Sequence, residues 1–391
     1  MQPSTSCNLF GAYRSAISVK DSYVLLHTTV GCNWGTSIFH MPSKLNDMRQ
    51  ASTVIYNEDV VFGGKKILKK AMNNIINMYN PKILFIISGC VSGILGEDFE
   101  TEIRKYSEGR EIVYIKAPGF ICSMDEGQIE AIKLMINLMQ CERKKTKSIN
   151  IIGLLSDDYM VNADINNIKK MLGNKVDINS IIPFDNIENI KAAPSAVLNV
   201  VFKGFESIGD LMERKFNIPY IVVEYPYGIE NSKNFIKEIY SFFNLEYKEE
   251  LRKKEEYTIA VLKNIYDYIR HLYSIPCAVF GDSLRASAMK KFLEDELGMD
   301  VQVYYERGDN DMNEFKKILK SSAASILFGS SFEREIAEEL EISFIRYVYP
   351  IFDSISIGNR GYVGFYGVIN LIEDLINSFM TMNYRRERQY M

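Results

Sequence analysis

The sequence predicts an α/β protein built from three Rossmann-like domains with parallel sheets. Strand-like apolar runs alternate with helix-like runs along all 391 residues, which is typical of right-handed βαβ units. Charged or polar stretches near residues 141–147 and 249–256 separate three blocks of this pattern. We therefore place the domains at residues 1–147, 148–256 and 257–391.

The elements follow from short β-rich apolar runs and from helical periodicity. In the first block, strands are predicted at 82–87 and 111–116, and in the second at 148–155, 196–202 and 219–224. In the third block they are predicted at 277–280, 301–305, 325–328 and 342–347. The last helix, about 363–380, has apolar residues at helical spacing and would pack back on another domain.

Composition excludes several classes of function. The formal net charge of −4 offers no global attraction to phosphates, so we expect no nucleic-acid binding. No apolar run is long enough to span a bilayer, and residues 1–20 lack the pattern of a signal peptide, so we expect a cytoplasmic protein without membrane contact. Neither a GxGxxG nor a GxxxxGK[ST] motif is present, so this chain should not bind ATP itself.

Three cysteines stand where a helix or strand should give way to a loop. Cys32 and Cys90 lie in glycine-bearing phrases, in which a missing Cβ lets the backbone approach a bulky ligand. Cys90 follows a predicted buried strand, and open α/β sheets bind ligands at the carboxyl ends of their strands. With Cys7, these residues are the candidate ligands of a metal group.

Their spacing narrows the kind of metal group. The intervals of 25 and 58 residues are too wide for a zinc knuckle made from CxxC pairs. Iron–sulfur clusters can take thiolates from well-separated loops or from two subunits. The alternative is three buried structural thiols, because free cysteine is among the most buried residue types.

The other cysteines are weaker candidates. Cys277 lies in an apolar strand and Cys141 in a helical stretch, and we interpret both as structural. Cys122 follows a predicted strand and stands next to Ser123, so it could line a cluster pocket without binding the metal.

The three histidines are interpreted separately. His27 lies five residues before Cys32, where it could orient the cluster loop by a hydrogen bond or simply belong to the core. His40 and His271 are interpreted as surface or packing residues.

Several short motifs occur in the order typical of nitrogenase component 1 proteins. They are HTTVGC at 27–32, FH at 39–40, AST at 51–53, EDVVFGG at 58–64, ISGC at 87–90, GED at 96–98, PGF at 118–120 with Ser123 and Gly127, PYGIE at 226–230 with Phe235, FGD at 280–282, RYVYPIFD at 346–353, and GYVG at 361–364 with Asn370 and Leu371. The chain resembles this family along nearly its whole length. The cysteine spacing and the PIFD phrase at 350–353 are most similar to the β-type subunit of the molybdenum-iron protein.

The resemblance implies a fold of the nitrogenase component 1 type and a set of ligands. Cys7, Cys32 and Cys90 match the thiols that a β-type subunit supplies to an iron–sulfur cluster shared across a subunit interface, of the 4Fe-4S or 8Fe-7S type. The remaining ligands would come from an α-like subunit or from a second copy of the chain. Ser123 lies near the position of a serine that can bind the oxidised 8Fe-7S cluster, but an ordinary loop hydroxyl is the favoured interpretation.

The resemblance also implies a docking site. In the family, the segment matching EDVVFGG faces an ATP-dependent iron protein that delivers electrons, so Phe62, Gly63 and Gly64 are candidate docking residues. The structural alternative is a helix start at which the glycines serve close packing. No match is found for the cysteine and histidine with which an α-type subunit holds its active-site cofactor.

Three functions stay open at this point. The first is a β-like subunit of a nitrogenase-like two-component reductase that carries electrons from the iron protein through the cluster to a substrate site. The second is a homodimeric reductase of a tetrapyrrole or an organosulfur compound. The third is a scaffold without catalytic activity on which a metal cofactor is assembled.

Overall fold

The computed structural model describes residues 7–40, 49–107, 109–140, 144–247, 249–307 and 312–389. Their strands form three four-stranded parallel sheets accompanied by helices, which confirms the predicted fold class. Cys141 lies outside the described residues, as does the side chain of His40. No helix in the described part of the chain is both long and apolar enough to cross a membrane.

The first sheet has the strand order β2-β1-β3-β4. Its strands are β1 (Ser22–His27), β2 (Gln50–Ser52), β3 (Ile83–Ser88) and β4 (Glu111–Lys116). Its helices are α1 (Asn8–Ser18), α2 (Val30–His40), α3 (Asn57–Phe62), α4 (Lys65–Tyr79), α5 (Cys90–Leu95), α6 (Glu100–Arg104) and α7 (Met124–Ile136). Every residue of β1 and β3 is buried, as expected for central strands of a parallel sheet with both faces covered.

The second sheet has the order β6-β5-β7-β8. Its strands are β5 (Ser148–Leu154), β6 (Asp177–Pro183), β7 (Leu198–Phe202) and β8 (Tyr220–Val223). The helices of this part of the chain are α8 (Val161–Leu172), α9 (Ile187–Lys191), α10 (Glu206–Phe216), α11 (Gly228–Phe242), α12 (Glu249–Asn264) and α13 (Tyr266–Ile269). Strand β6 was not among the predicted strands, because polar residues interrupt its apolar run.

The third sheet has the order β10-β9-β11-β12. Its strands are β9 (Pro276–Gly281), β10 (Asp300–Glu306), β11 (Ile326–Gly329) and β12 (Ser343–Arg346). Its helices are α14 (Ser283–Lys291), α15 (Met312–Ser321), α16 (Arg334–Glu339) and α17 (Gly364–Gln389). Short 3-10 turns at Gly173–Lys175, Ala193–Ser195 and Arg270–Leu272 and a π-helical segment at Phe292–Glu296 complete the described helices.

The chain packs as two compact units. The first extends to Asp157 and also contains Ile178–Val201 and Phe205–Tyr220, and the second contains Asp158–Asp177, Phe202–Gly204 and the chain from Ile221 onward. Each sheet falls within one of the three predicted domains, but the boundaries after residues 147 and 256 stay a prediction. The candidate site belongs entirely to the first unit.

Candidate functional site

The candidate site lies at the carboxyl edge of the first sheet. Chain order reverses between β1 and β3, so this is the switch point at which open α/β sheets form a crevice. His27 at the end of β1 is level with Ser88 at the end of β3, and Ser88 is level with Lys116 at the end of β4. The segments leading to Cys32 and Cys90 and the loop after β4 therefore leave the sheet side by side.

Each candidate cysteine stands at the start of a helix. Cys7 is the N-cap of α1, and its carbonyl oxygen accepts hydrogen bonds from the backbone N–H groups of Phe10 (3.1 Å) and Gly11 (3.3 Å). Cys90 is the first residue of α5, and Cys32 is the third residue of α2. The positive end of a helix dipole favours an anionic thiolate, so these positions suit metal-binding cysteines.

The loop after β4 brings two of the thiols together. The backbone N–H of Gly119 donates a hydrogen bond to Cys90 Sγ at 3.1 Å. A Cβ on Gly119 would lie 2.5 Å from Cys7 Sγ and 3.4 Å from Cys90 Sγ. Only glycine fits here, and its backbone separates two thiols that are far apart in sequence. Gly119 belongs to the PGF motif at 118–120, but no pattern in the sequence predicts its close approach to the thiols of Cys7 and Cys90.

The three candidate thiols also influence one another electrostatically. Burial raises the pKa of Cys7 above its ordinary value, and the nearby thiol groups of Cys90 and Cys32 raise it further. A buried thiol of this kind stays protonated until a cation displaces the proton, which couples metal binding to proton release. Soft sulfur donors converging on one loop fit an iron–sulfur cluster.

The described residues form no candidate site for a single metal ion. Within the described ranges, no three histidine, cysteine, aspartate or glutamate side chains are grouped so that they could hold one ion.

The weaker candidates have other contacts. Ser123 is the N-cap of α7, where its hydroxyl accepts a hydrogen bond from the backbone N–H of Glu126 (3.3 Å) and donates one to Glu126 Oε2 (2.9 Å). The pKa of the Cys122 thiol is raised chiefly because of burial, with smaller contributions from Glu126, Glu130 and Cys7. Cys277 is fully buried in β9, and burial raises its pKa to about 12.

Apolar side chains are exposed around the cysteines. On the segments that carry Cys32, Cys90 and Gly119, the exposed large apolar residues are Val30, Trp34, Ile94, Leu95, Phe120 and Ile121. We call these six residues the apolar rim. A cluster of exposed apolar side chains around a polar centre is typical of a protein interface.

The predicted docking residues lie at the junction of two helices. Helix α3 begins after Tyr56, whose backbone N–H donates to the Asp59 carboxylate at 3.0 Å. It ends at Phe62, whose side chain is 87% exposed. Gly63 has φ +90°, a conformation that favours glycine, and Gly64 is the N-cap of α4. We call residues 56–64 the docking segment.

His27 is buried at the end of β1. Its Nδ1 atom lies 3.0 Å from Thr53 Oγ1, and its ring packs edge-on against Phe99 at a centroid distance of 4.6 Å. Burial lowers the pKa of His27 to about 4, so the imidazole is neutral at physiological pH. Its Nε2 atom has no hydrogen-bond partner among the described residues. His271, by contrast, is exposed in a 3-10 turn.

Similar proteins share both the fold and the full length of this chain. The protein is 28% identical to the nitrogenase iron-molybdenum cofactor biosynthesis protein NifE of Clostridium pasteurianum, over 95% of this chain and 87% of that protein. It is 24% identical to the nitrogenase molybdenum-iron protein beta chain of Methanococcus maripaludis, over 99% of this chain and 96% of that one. A solved structure of nitrogenase Cp1 at pH 6.5 matches with a TM-score of 0.86 and 20% identity, over 98% of this chain and 94% of that chain.

The family model gives the decisive match. The model for nitrogenase component 1 type oxidoreductases matches residues 7–307 and 303–380, which together cover most of the sequence and all of the candidate site. The chain therefore belongs to the nitrogenase component 1 type oxidoreductase family.

Proposed function

We propose that this protein is a β-like subunit of a nitrogenase-like two-component reductase. In this role it carries electrons from an ATP-dependent iron protein, through an iron–sulfur cluster at a subunit interface, to a substrate site. The convergence of three cysteine-bearing segments at the switch point of the first sheet is the observation that carries the proposal. We expect this reductase to work in the cytoplasm.

Cys7, Cys32 and Cys90 would hold the cluster, which supplies one-electron chemistry when bound. Three thiolates leave further iron atoms in need of ligands, so the cluster would be completed by a partner. The 4Fe-4S and 8Fe-7S types both satisfy this requirement. Ser123 stays a weak candidate for a further ligand, because its hydroxyl is already used in capping α7.

The apolar rim is the surface on which we place the partner. Covering exposed apolar side chains is favourable at roughly 25 cal/mol per Å², and the rim lies on the same segments as the thiols that need a second set of ligands. The partner would be an α-like nitrogenase component 1 subunit or a second copy of this chain. In either case, the contact would shield the cluster from solvent.

The docking segment would receive the iron protein. Phe62 is almost fully exposed at the tip of a short acidic helix, and an exposed aromatic anchor of this kind can dominate the energy of an interface. The chain that enters this helix is tied to the carboxyl edge of the first sheet, because Ile55 donates its backbone N–H to the carbonyl of Thr28 at 2.9 Å.

The direct test is anaerobic purification with quantitative iron and sulfide analysis and native mass spectrometry. We expect iron and sulfide in the protein and a stable dimer, either of this chain alone or with an α-like subunit. Addition of an iron protein and ATP should then reduce the cluster, observed by its electron paramagnetic resonance signal. A cluster-replete protein that stays monomeric would contradict the interfacial arrangement.

The scaffold function is the second candidate, favoured by the similarity to a cofactor biosynthesis protein. The two functions differ in what leaves the protein. A scaffold would release a metal cluster to an acceptor protein, whereas an electron-transfer subunit would keep its iron through many turnovers. Iron-55 labelling of the cluster, followed by turnover and repurification, separates these outcomes.

A further inference from the structure

Gly64 is held between the buried side chain of His27 and the partly buried side chain of Glu97. A Cβ on Gly64 would lie 2.7 Å from His27 Nε2 and 3.2 Å from Glu97 Oε2. The backbone N–H of Gly64 donates a hydrogen bond to the other carboxylate oxygen, Glu97 Oε1, at 2.6 Å. The base of the docking segment is therefore held by the end of β1 on one side and by the loop after α5 on the other.

The two polar atoms that face Gly64 have no partners. Within the described residues, both His27 Nε2 and Glu97 Oε2 are buried without a hydrogen bond. An unsatisfied buried polar atom costs about 1–3 kcal/mol, and native structures hold few of them. Apolar side chains would fill the space beside Gly64 without this cost. Packing alone therefore does not explain why a histidine and a glutamate lie there.

His27 is connected directly to the segments that carry the cluster cysteines. Its backbone carbonyl accepts a hydrogen bond from Gly89, the residue before Cys90, at 3.1 Å. The next residue, Thr28, packs its hydroxyl so closely on Gly89 that a Cβ there would lie 2.5 Å from Thr28 Oγ1. The residue whose imidazole faces Gly64 is therefore bonded through its backbone to the start of α5, and it precedes the segment leading to Cys32.

We propose that His27 and Glu97 are positioning residues that couple the docking segment to the cluster loops. When a partner presses on Phe62, the Gly63–Gly64 junction moves against the imidazole and the carboxylate, and the end of β1 transmits that movement to Cys32 and Cys90. In this proposal neither side chain is a ligand of the cluster or a docking residue. This inference rests on the proposed function, because that function assigns the docking segment and the thiols their roles.

The first test uses hydrogen exchange in the chain as purified without metal. Gly64→Ala adds a methyl group against the imidazole at a backbone conformation, φ −84°, that alanine adopts freely. We expect the amides of Gly89 and Ile55, which bond to His27 and Thr28, to exchange about tenfold faster in this variant. Gly358→Ala is the matched control, because a Cβ there meets nothing within 4 Å.

Glu97 gives the second pair of variants. Glu97→Ala removes the acceptor of the Gly64 N–H and should accelerate exchange of the same two amides. Glu97→Gln keeps the length of the side chain and an oxygen for that hydrogen bond, so it should retain most of the protection. Amides of β5 and β7 in the second sheet report global stability and should not change.

In the loaded protein, the same variants separate coupling from docking. We expect Gly64→Ala to lower the maximal rate of iron-protein-dependent cluster reduction, with less than about a twofold change in the iron protein concentration that gives half of that rate. The opposite pattern, an altered half-saturation with an unchanged maximal rate, would assign Gly64 to the docking surface alone and overturn the coupling.

Unchanged exchange at Gly89 and Ile55 would also overturn the coupling, and so would equal acceleration in the first and second sheets. The exchange experiment needs neither cluster nor iron protein. Its failure would therefore leave the cluster assignment standing, since iron and sulfide content tests that separately.

Discussion

The first and third sheets have the same topology but different chemistry at their carboxyl edges. In both, the strand order reverses between the first and third strands in sequence, as shown by β2-β1-β3-β4 and β10-β9-β11-β12. The edge of the first sheet bears thiols, close-packed glycines and the apolar rim. The edge of the third bears Asp282, Arg285 and Glu333, which hydrogen-bond within the chain.

This difference shows what topology does and does not determine. The doubly wound order creates a crevice in each of the three sheets, but side chains decide what each crevice holds. At the third edge, Arg285 pairs with Asp158 at 2.6 Å and with Asp282 at 3.1 Å, so these charges are compensated inside the protein. At the first edge, soft donors face a surface rimmed by apolar residues, which suits a ligand supplied from outside the chain.

The largest effect is expected from removing thiols at the first edge. Cys32→Ala or Cys90→Ala should lose most of the iron and sulfide of the anaerobically purified complex, because each removes a ligand of the proposed cluster. Cys277→Ala, in β9 of the third sheet, is the matched control and should keep its metal. Equal iron content in all three variants would remove the distinction between the two edges.

The next effect concerns stability at the third edge. Arg285→Met should lower the free energy of unfolding by about 3–5 kcal/mol, because it removes the guanidinium that pairs with the buried carboxylate of Asp158 and with the partly buried carboxylate of Asp282. Urea denaturation followed by circular dichroism measures the loss. Arg270→Ala breaks only an exposed pair with Asp267 and should cost less than about 1 kcal/mol. If both variants were equally stable, the charges at the third edge would not support the fold.

A pH effect on stability should come from the buried His27 at the edge of the first sheet. The folded pKa of His27, about 4, lies below its ordinary value of 6.5, so the unfolded chain binds more protons between these values. The contribution of His27 is therefore constant above about pH 7 and falls by about 3 kcal/mol as pH drops to 4.

This dependence can be isolated by substitution. His27→Phe should flatten the change in unfolding free energy between pH 6.5 and 4 relative to the unmodified protein, measured by urea denaturation at several pH values. Ile357→Ala, at an exposed position without a titratable group, should leave the profile unaltered. A profile that stays the same in both variants would show that His27 is not the group being titrated.

The smallest effect concerns docking. Phe62→Ala should weaken binding of the iron protein by about 2 kcal/mol, or roughly thirtyfold. The measurement is ATP-dependent electron transfer titrated against iron protein concentration, with cluster content and melting temperature recorded alongside. Ile357→Ala, at a side chain 93% exposed in the other unit, is the control. Normal transfer by the Phe62 variant would remove this ring from the docking site, and loss of the fold would assign it to the core.

The sequence predicts the sheets far better than the contacts between loops. Apolar runs such as 82–87 identify buried strands directly, and the position of Cys90 after such a run is enough to place it at the carboxyl edge. Strand β6 was missed because its polar residues break the pattern on which strand prediction depends. Its place comes from tertiary packing, which a local pattern does not contain.

The candidate site was likewise predicted only in part. The cysteine spacing suggested the ligand set, but the role of Gly119 depends on the approach of Cys7 from a distant segment, and the contact of Gly64 with His27 and Glu97 depends on three separate segments. Ser123 illustrates a signal that was present and not used. Serine followed three residues later by Glu126 is the pattern of a capping box, which the structure contains.

The burial of Cys277 makes its thiol a chemical reporter of unfolding. Its thiol is inaccessible in the native state and, with a pKa of about 12, almost wholly unreactive at pH 8. Thiolate is the form that alkylating reagents attack, so modification of this residue requires β9 to open. The rate at which iodoacetamide modifies Cys277, measured by peptide mass, therefore reports the opening of the third sheet. It does so separately from the modification of the cysteines of the first sheet.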